Sequence, residues 1–122
     1  MDKKTAQHIA MVRDYGLMKL LDKQFRLAVH ETFLYESAHG YGIADEYDEA
    51  EYERWVQSDE GFKEVFAEEC KALDEYQEAR DRFCRSMERF SDGQISFDTA
   101  RKMVANPRLA EKLEAIMMGE KK

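Results

Sequence analysis

The sequence has few residues that interrupt a helix: its 122 residues include one proline and six glycines. No stretch alternates between apolar and polar residues between turn signals, as half-buried strands do. No internal repeat or low-complexity tract is present. The sequence therefore predicts an all-α protein, with a single domain over residues 1–122 whose last residues, 120–122, form a frayed tail.

Two further absences bear on location. No run of eighteen apolar residues exists, so no membrane span is predicted. The start of the chain, Met1-Asp2-Lys3-Lys4, lacks the apolar core of a signal peptide. Cys70 and Cys84 lie on one predicted helix, too far apart for a disulfide with each other, and we expect both to be buried free thiols. Together these features predict a cytoplasmic protein.

Signals of catalysis are also scarce. The three histidines have no serine or cysteine nearby in an arrangement known to activate a nucleophile. The glycines are scattered, so the sequence contains no glycine-rich loop that could hold a phosphate group. These absences favour a non-enzymatic protein, and no cofactor is predicted.

The longest apolar pattern lies between Ser58 and Ser91. Its seam residues are spaced alternately four and three apart over four heptads, which is typical of a long helix with a partner along its length. Ser58 is predicted to be the N-cap. A helix of roughly 48 Å is long for a domain of this size, so it should protrude, kink or pack against a second copy. We favour the last and predict a homodimer formed through residues 58–91. The seam residues are Phe62, Phe66, Glu69, Leu73, Tyr76, Arg80, Phe83, Met87 and Phe90.

A second long helix is predicted over residues 17–38. Thr5 is predicted to cap a first helix that Gly16 interrupts or kinks, and the main helix follows. It has one seam that includes Met18 and Phe25, and a second apolar line on nearly the opposite side. Two apolar lines predict burial over more than half of the circumference. The second line consists of Leu20, Leu27 and Leu34.

Three shorter helices complete the predicted fold. Asp45 is expected to open a helix over residues 46–57, Ser96 to cap a helix that runs to Ala105, and Asn106-Pro107 to begin a last helix that stops at Gly119. The prediction is a small bundle of about five helices. It is built on two long antiparallel helices, about 17–38 and 58–91, with a short C-terminal helical hairpin.

The net charge of −7 is distributed unevenly. Residues 31–100 contain seven basic and twenty acidic residues, whereas residues 1–30 and 101–122 each contain six basic and three acidic residues. Around residues 45–55, acidic residues are interleaved with two tyrosines and the only tryptophan. Helical carboxylates can resemble nucleic-acid phosphates in charge and spacing, and aromatic rings are frequent anchors of interfaces.

This segment gives the leading functional hypothesis. We predict an acidic interaction module, a nucleic-acid mimic that regulates or inhibits a basic, nucleic-acid-handling protein. The alternative for the segment alone is a solvated surface helix with Trp55 buried. The predicted partner-binding residues are Asp45, Tyr47, Asp48, Glu49, Glu51, Tyr52, Glu53 and Trp55.

Two other functional classes stay open. Glu36 and His39 have the spacing of one half of a ferritin-like carboxylate site, to which Glu69 could add a ligand in a dimer. The chain could also be a small nucleic-acid-binding regulator that uses its C-terminal hairpin or a basic stripe. The acidic balance of the chain argues against direct nucleic-acid binding. The stripe consists of Lys19, Lys23, Arg26 and His30.

Overall fold

A computed structural model describes residues 1–118. These residues contain helices and no strand, which confirms the predicted all-α bundle with two long antiparallel helices that pack closely. The helices are α1 (Lys3–Ala38), α2 (Glu49–Ser58), α3 (Glu60–Phe90), α4 (Phe97–Ala105) and α5 (Ala110–Met117), with a 3₁₀ turn at Pro107–Leu109 before α5.

The contacts within the chain form two compact units. The first unit contains Met1–Leu20 and Tyr76–Lys122, and the second contains Leu21–Glu75. The single-domain assignment of residues 1–122 stays a prediction. Gly119, as the stop of the last helix, and the frayed tail at 120–122 lie outside the described residues. None of the described helices combines the length and the apolar character that crossing a membrane requires.

Helix α1 corrects the prediction at its start. It is continuous from Lys3 to Ala38, so Gly16 neither interrupts nor ends it. A single glycine within a helix costs only about 1 kcal/mol relative to alanine, which the flanking turns can offset. The cap is Asp2 and not Thr5, because the Asp2 side chain accepts a hydrogen bond from the Thr5 amide at 2.7 Å.

The boundaries of α2 and α3 also differ from the prediction. Asp48, and not Asp45, caps α2 by accepting from the amide of Ala50. Ser58 is the last residue of α2, and its hydroxyl donates back to the Arg54 carbonyl at 2.9 Å. The adjacent Asp59 caps α3, because its carboxylate accepts from the Phe62 amide at 2.8 Å. A carboxylate is as good an N-cap as a hydroxyl, and here Asp59 stands one residue later.

Local signals predicted the other two starts correctly. Ser96 caps α4 by accepting from the Thr99 amide, and Asn106 caps the turn at Pro107–Leu109 by accepting from the Arg108 amide. Both residues satisfy backbone amides that have no partner within the helix. The helices they begin form the predicted C-terminal hairpin, which follows α3 in the first unit.

The first unit has a close-packed apolar core. Tyr15 packs against Phe83 with 5.3 Å between ring centroids, and its hydroxyl donates to Glu114 at 3.0 Å. Cys84 is buried as predicted, whereas Cys70, in the second unit, is exposed against the prediction. The buried apolar residues of this unit are Met11, Met18, Ala79, Phe83, Cys84, Met87, Ala100, Met103, Leu113 and Met117.

The second apolar line of α1 is not buried. Leu20, Leu27 and Leu34 are 52%, 56% and 57% exposed, so the prediction of burial over more than half of the circumference is wrong. Leu20 follows the buried Met18 by two residues, which places it roughly 200° around the helix. Burying both lines requires covering elements on two sides of α1, and a sequence pattern does not say whether both are present.

Candidate protein-interaction surface

A continuous cluster of aromatic rings organises the second unit. Tyr41, in the segment after α1, lies 5.1 Å from Tyr47, 5.3 Å from Tyr52 and 4.7 Å from Trp55 between ring centroids. Trp55 lies in turn 5.2 Å from Phe62, the first aromatic residue of α3. Tilted and edge-to-face ring pairs of this kind add about 0.5–1.5 kcal/mol each beyond the area they bury. The cluster therefore ties the segment after α1 to α2 and α3.

Two tyrosine hydroxyls connect the ring cluster to carboxylates. Tyr35 donates to Asp59 at 2.6 Å, and Tyr52 donates to Glu36 at 2.5 Å. Burial, followed by the hydrogen bond to Glu36, raises the pKa of Tyr52 to about 12. The hydrogen bond from Tyr35, together with that from the Phe62 amide, lowers the pKa of Asp59. Both contacts favour the neutral phenol at neutral pH.

The acidic residues before α2 also shape the chain locally. The amide of Gly42 donates to the Asp45 carboxylate at 2.8 Å, which closes the turn in front of α2. Asp48 uses its carboxylate for the α2 cap. Glu49 and Glu51 lie in the first turn of α2, where the helix dipole favours negative charge. Part of the acidic composition therefore has a structural role in addition to any role in binding.

The structure separates the predicted partner-binding residues into two groups. Tyr52 and Trp55 are half-buried within the ring cluster, and Tyr47 is 44% exposed at its edge. The carboxylates are all exposed, and their binding role stays a prediction. These carboxylates belong to Asp45, Asp48, Glu49, Glu51 and Glu53.

An apolar groove lies between α2 and the first two turns of α3. The rings of Phe62 and Phe66 are stacked at 5.7 Å with an angle of 11° between their planes, and Phe66 is 45% exposed. The groove has a volume of about 240 Å³, which is less than the 300–1,000 Å³ typical of small-molecule pockets. Its size suits a single large apolar side chain. The lining residues are Tyr52, Glu53, Val56, Gln57, Phe62 and Phe66.

Sequence reasoning missed this groove. It assigned Phe62 and Phe66 to the apolar seam of residues 58–91, and it did not consider Val56 and Gln57. The available signal was the spacing of Glu49, Glu53 and Val56 at i, i+4 and i+7, which places two exposed carboxylates and an apolar side chain on one face of α2. The structure brings that face beside Phe66.

The unit that contains this groove is strongly negative. Residues 21–75 contain five basic and sixteen acidic residues, a net charge of −11. Lys63, a cation on α3, is paired with Glu60 at 3.3 Å. A field of one sign around an apolar groove attracts a partner segment that combines positive charge with an apolar side chain.

Two residues of the metal-site hypothesis take part in the contacts of the ring cluster. Glu36 accepts a hydrogen bond from Tyr52. The ring of His39 packs at a tilt against Tyr35, and its Nδ1 lies 2.8 Å from the Tyr35 carbonyl oxygen. Glu69 lies half-buried on α3. Among residues 1–118, no three or more histidine, cysteine or acidic side chains are grouped so that they could hold a metal ion. The basic stripe of α1 is exposed at all four positions.

Comparison with known proteins gives no relative for this chain. No protein-family model matches it. No curated protein and no solved structure shows significant similarity to it.

Proposed function

We propose that this protein is a non-enzymatic interaction module whose second unit binds a basic segment of a protein partner. The observation that carries the proposal is the apolar groove of Val56, Phe62 and Phe66 within a unit of net charge −11. Partner cations would meet the exposed carboxylates of α2, and an apolar partner side chain would occupy the groove.

The ring cluster supports this proposal because it connects α2 to the start of α3. Trp55 packs against Tyr41, Tyr52 and Phe62, so α2 and the start of α3 are held together before a partner arrives. A preformed surface loses less conformational entropy on binding than a flexible one does. Tyr52 and Trp55 then act by holding the groove in shape, with only part of each ring exposed to a partner.

In its most concrete form, the partner is a nucleic-acid-handling protein. The cations with which such a protein binds phosphate groups can also bind a row of carboxylates. A nucleic acid should therefore compete with the module for the partner. The module would act as a regulator or inhibitor of that partner.

The proposal can be tested with two synthetic peptides of equal charge, one made of lysines and one with a leucine at its centre. Trp55 is the only tryptophan and lies against the groove residues Tyr52 and Phe62, so its fluorescence reports binding. We expect the leucine peptide to bind more tightly, and both affinities to fall as salt screens the carboxylates.

Matched variants separate the contribution of the apolar groove from that of the carboxylates. Phe66→Ala should remove the preference for the leucine peptide, whereas Phe33→Ala should not, because Phe33 is similarly exposed but lies outside the groove. Glu49→Gln with Glu53→Gln should weaken both peptides more than Glu78→Gln with Glu111→Gln, which removes equal charge from the first unit. Affinity that is independent of salt would contradict the proposal.

We also propose that the protein acts as a homodimer through α3 in the cytoplasm. The 45% exposed ring of Phe66 on α3 supports the homodimer. The two free thiols support the cytoplasm, which is a reducing compartment. In a dimer of this kind, the second copy and the partner compete for Phe66. Native mass spectrometry at micromolar concentration measures the oligomeric state, and a monomer would contradict the dimer while leaving the peptide experiment unaffected.

A further inference from the structure

A cleft in the first unit differs from the acidic surface in both charge and size. It lies between α3, which contributes Tyr76 and Arg80, and α4, which contributes Asp98, Arg101 and others. Its volume of about 480 Å³ falls within the range of small-molecule sites.

The α4 side of the cleft is one face of a fixed helix. Asp98, Arg101 and Lys102 stand at i, i+3 and i+4, so their side chains are neighbours. Ala100 and Met103, which point into the core, are buried. The amide of Phe97 donates to the Glu88 carboxylate of α3 at 3.0 Å. This hydrogen bond connects the start of α4 to α3, the two helices that form the cleft.

Positive charge predominates in this cleft. Arg80, Arg101 and Lys102 line it against one carboxylate, that of Asp98. The Arg80 side chain is only 19% exposed, and it forms a salt bridge with Asp81, to which its Nε donates at 3.1 Å. That bond uses one of the five N–H donors of a guanidinium group. The three cations still outnumber the carboxylates of Asp98 and Asp81. A half-buried arginine that lines a cleft beside two further cations is typical of an anion site.

The guanidinium groups of α3 and α4 also lie close enough to the buried thiol of Cys84 to affect its pKa. Burial, with a smaller contribution from Asp81, raises the pKa of Cys84 to about 11, and Arg80, Arg101 and Arg85 oppose that rise. Guanidinium groups from both α3 and α4 therefore lower the pKa of the same thiol. The sequence segments of this unit, 1–20 and 76–122, contain fourteen basic and ten acidic residues, a net charge of +4.

We propose that this cleft binds the phosphate group of a small phosphorylated molecule. Arg80 and Arg101 supply paired donors for the phosphate oxygens, and Lys102 adds a point charge. The carboxylate of Asp98 accepts a hydrogen bond from a ligand hydroxyl, and the ring of Tyr76 and the side chain of Val104 contact the organic part. Asp98 also disfavours a polyanion such as a nucleic acid, because its carboxylate repels neighbouring phosphates.

Isothermal titration calorimetry with glycerol 3-phosphate at constant ionic strength tests the proposal. We expect saturable binding with a Kd in the millimolar range or tighter, weaker binding of inorganic phosphate, and no binding of glycerol. Arg101→Gln should weaken binding about 10-fold or more, because it removes charge-assisted hydrogen bonds to the phosphate. The side chain of Arg101 is exposed, so the variant should fold normally, which circular dichroism checks.

The matched control is Arg108→Gln, which removes an equally exposed cation outside the cleft. Unchanged affinity in this variant, with loss in Arg101→Gln, supports the site. Absence of binding to glycerol 3-phosphate overturns it. Equal weakening by both variants also overturns it, because it would mean diffuse attraction to surface charge. Tighter binding of a single-stranded oligonucleotide that both variants weaken equally would overturn it in favour of a nucleic-acid surface.

Discussion

The two units of this protein are stabilised by different kinds of contact. Of the eleven buried apolar residues within residues 1–118, ten lie in the first unit and only Phe62 lies in the second. The second unit relies instead on stacked and tilted aromatic rings and on tyrosine hydrogen bonds to carboxylates. Its sequence has a net charge of −11, against +4 for the first unit.

This difference has a consequence for stability and for binding. Buried apolar area is the main favourable term in folding, so the first unit should carry most of the stability. The second unit buries fewer side chains completely and repels itself electrostatically, so it should open at lower free energy. Under the proposed function, a partner that supplies positive charge and an apolar side chain would stabilise the second unit more than the first, because the second unit has an excess of negative charge.

The largest expected effect comes from removing a ring from the first unit. Phe83 is fully buried, so Phe83→Ala should reduce the free energy of unfolding by about 3–5 kcal/mol. Phe66→Ala removes a similar ring that is 45% exposed, and should cost much less. Urea denaturation measures both. Equal losses would contradict the assignment of most stability to the first unit.

A pair of glycines gives the next contrast. A Cβ at Gly61, in the second unit, would lie 2.7 Å from Tyr35 Cζ and would push that ring away from Asp59, so Gly61→Ala should cost about 1–3 kcal/mol. At Gly16, in the first unit, a Cβ meets no atom within 4 Å. Gly16→Ala should therefore stabilise the helix by about 0.5–1 kcal/mol. Thermal unfolding followed by circular dichroism measures both, and destabilisation by Gly16→Ala would mean that α1 is not a regular helix there.

Two tyrosines, one in each unit, provide a test by pH. Burial and a neighbouring glutamate raise the pKa of Tyr15 and of Tyr52 to about 12, from an ordinary value of 10.0. Their contribution to stability is present below pH 10.0 and is lost as the pH rises from there towards 12.

A titration followed by ultraviolet absorbance should show a late class of tyrosines, which ionise well above pH 10.0. Tyr15→Phe and Tyr52→Phe should each remove one tyrosine from this late class. Each substitution should cost about 1 kcal/mol or less at neutral pH, because the hydrogen bonds are partly exposed. An unchanged late class in Tyr52→Phe would contradict the contact with Glu36.

The smallest effect is expected at the exposed leucines of α1. Leu27 is 56% exposed, so Leu27→Gln should change the free energy of unfolding by less than about 0.5 kcal/mol. Chemical denaturation at two protein concentrations measures this change. A decrease of several kcal/mol in the free energy of unfolding would mean that the second apolar line of α1 is buried after all. A loss that depends on protein concentration would show that a second copy covers it.

The sequence predicted local features best. Ser96 and Asn106 were identified as caps because an N-cap depends on one side chain and on amides two or three residues away. The predicted cap was wrong where two neighbouring residues could cap a helix equally well, as with Ser58 and Asp59 before α3. The interruption expected at Gly16 does not occur, because a propensity of about 1 kcal/mol says nothing about the packing that holds a 36-residue helix together.

The candidate surface was only partly predictable. The carboxylates of α2 were identified from composition, and all of them are exposed. The groove at Phe66 was missed, because it depends on which face of α2 lies beside α3. The inward position of Tyr52 depends on a hydrogen bond to Glu36, sixteen residues earlier in the chain, which no periodic pattern indicates.

By itself, the sequence determined the helical class, the two long helices, two of the helix caps and the separation of charge, because these depend on residues within a few positions of one another or on composition alone. The tertiary structure decided which apolar line of α1 is buried, which aromatic rings point inward, and that Arg80 and Arg101 line one cleft. These features depend on contacts between distant parts of the chain, and competition among such contacts for a limited interior is resolved only when the helices pack.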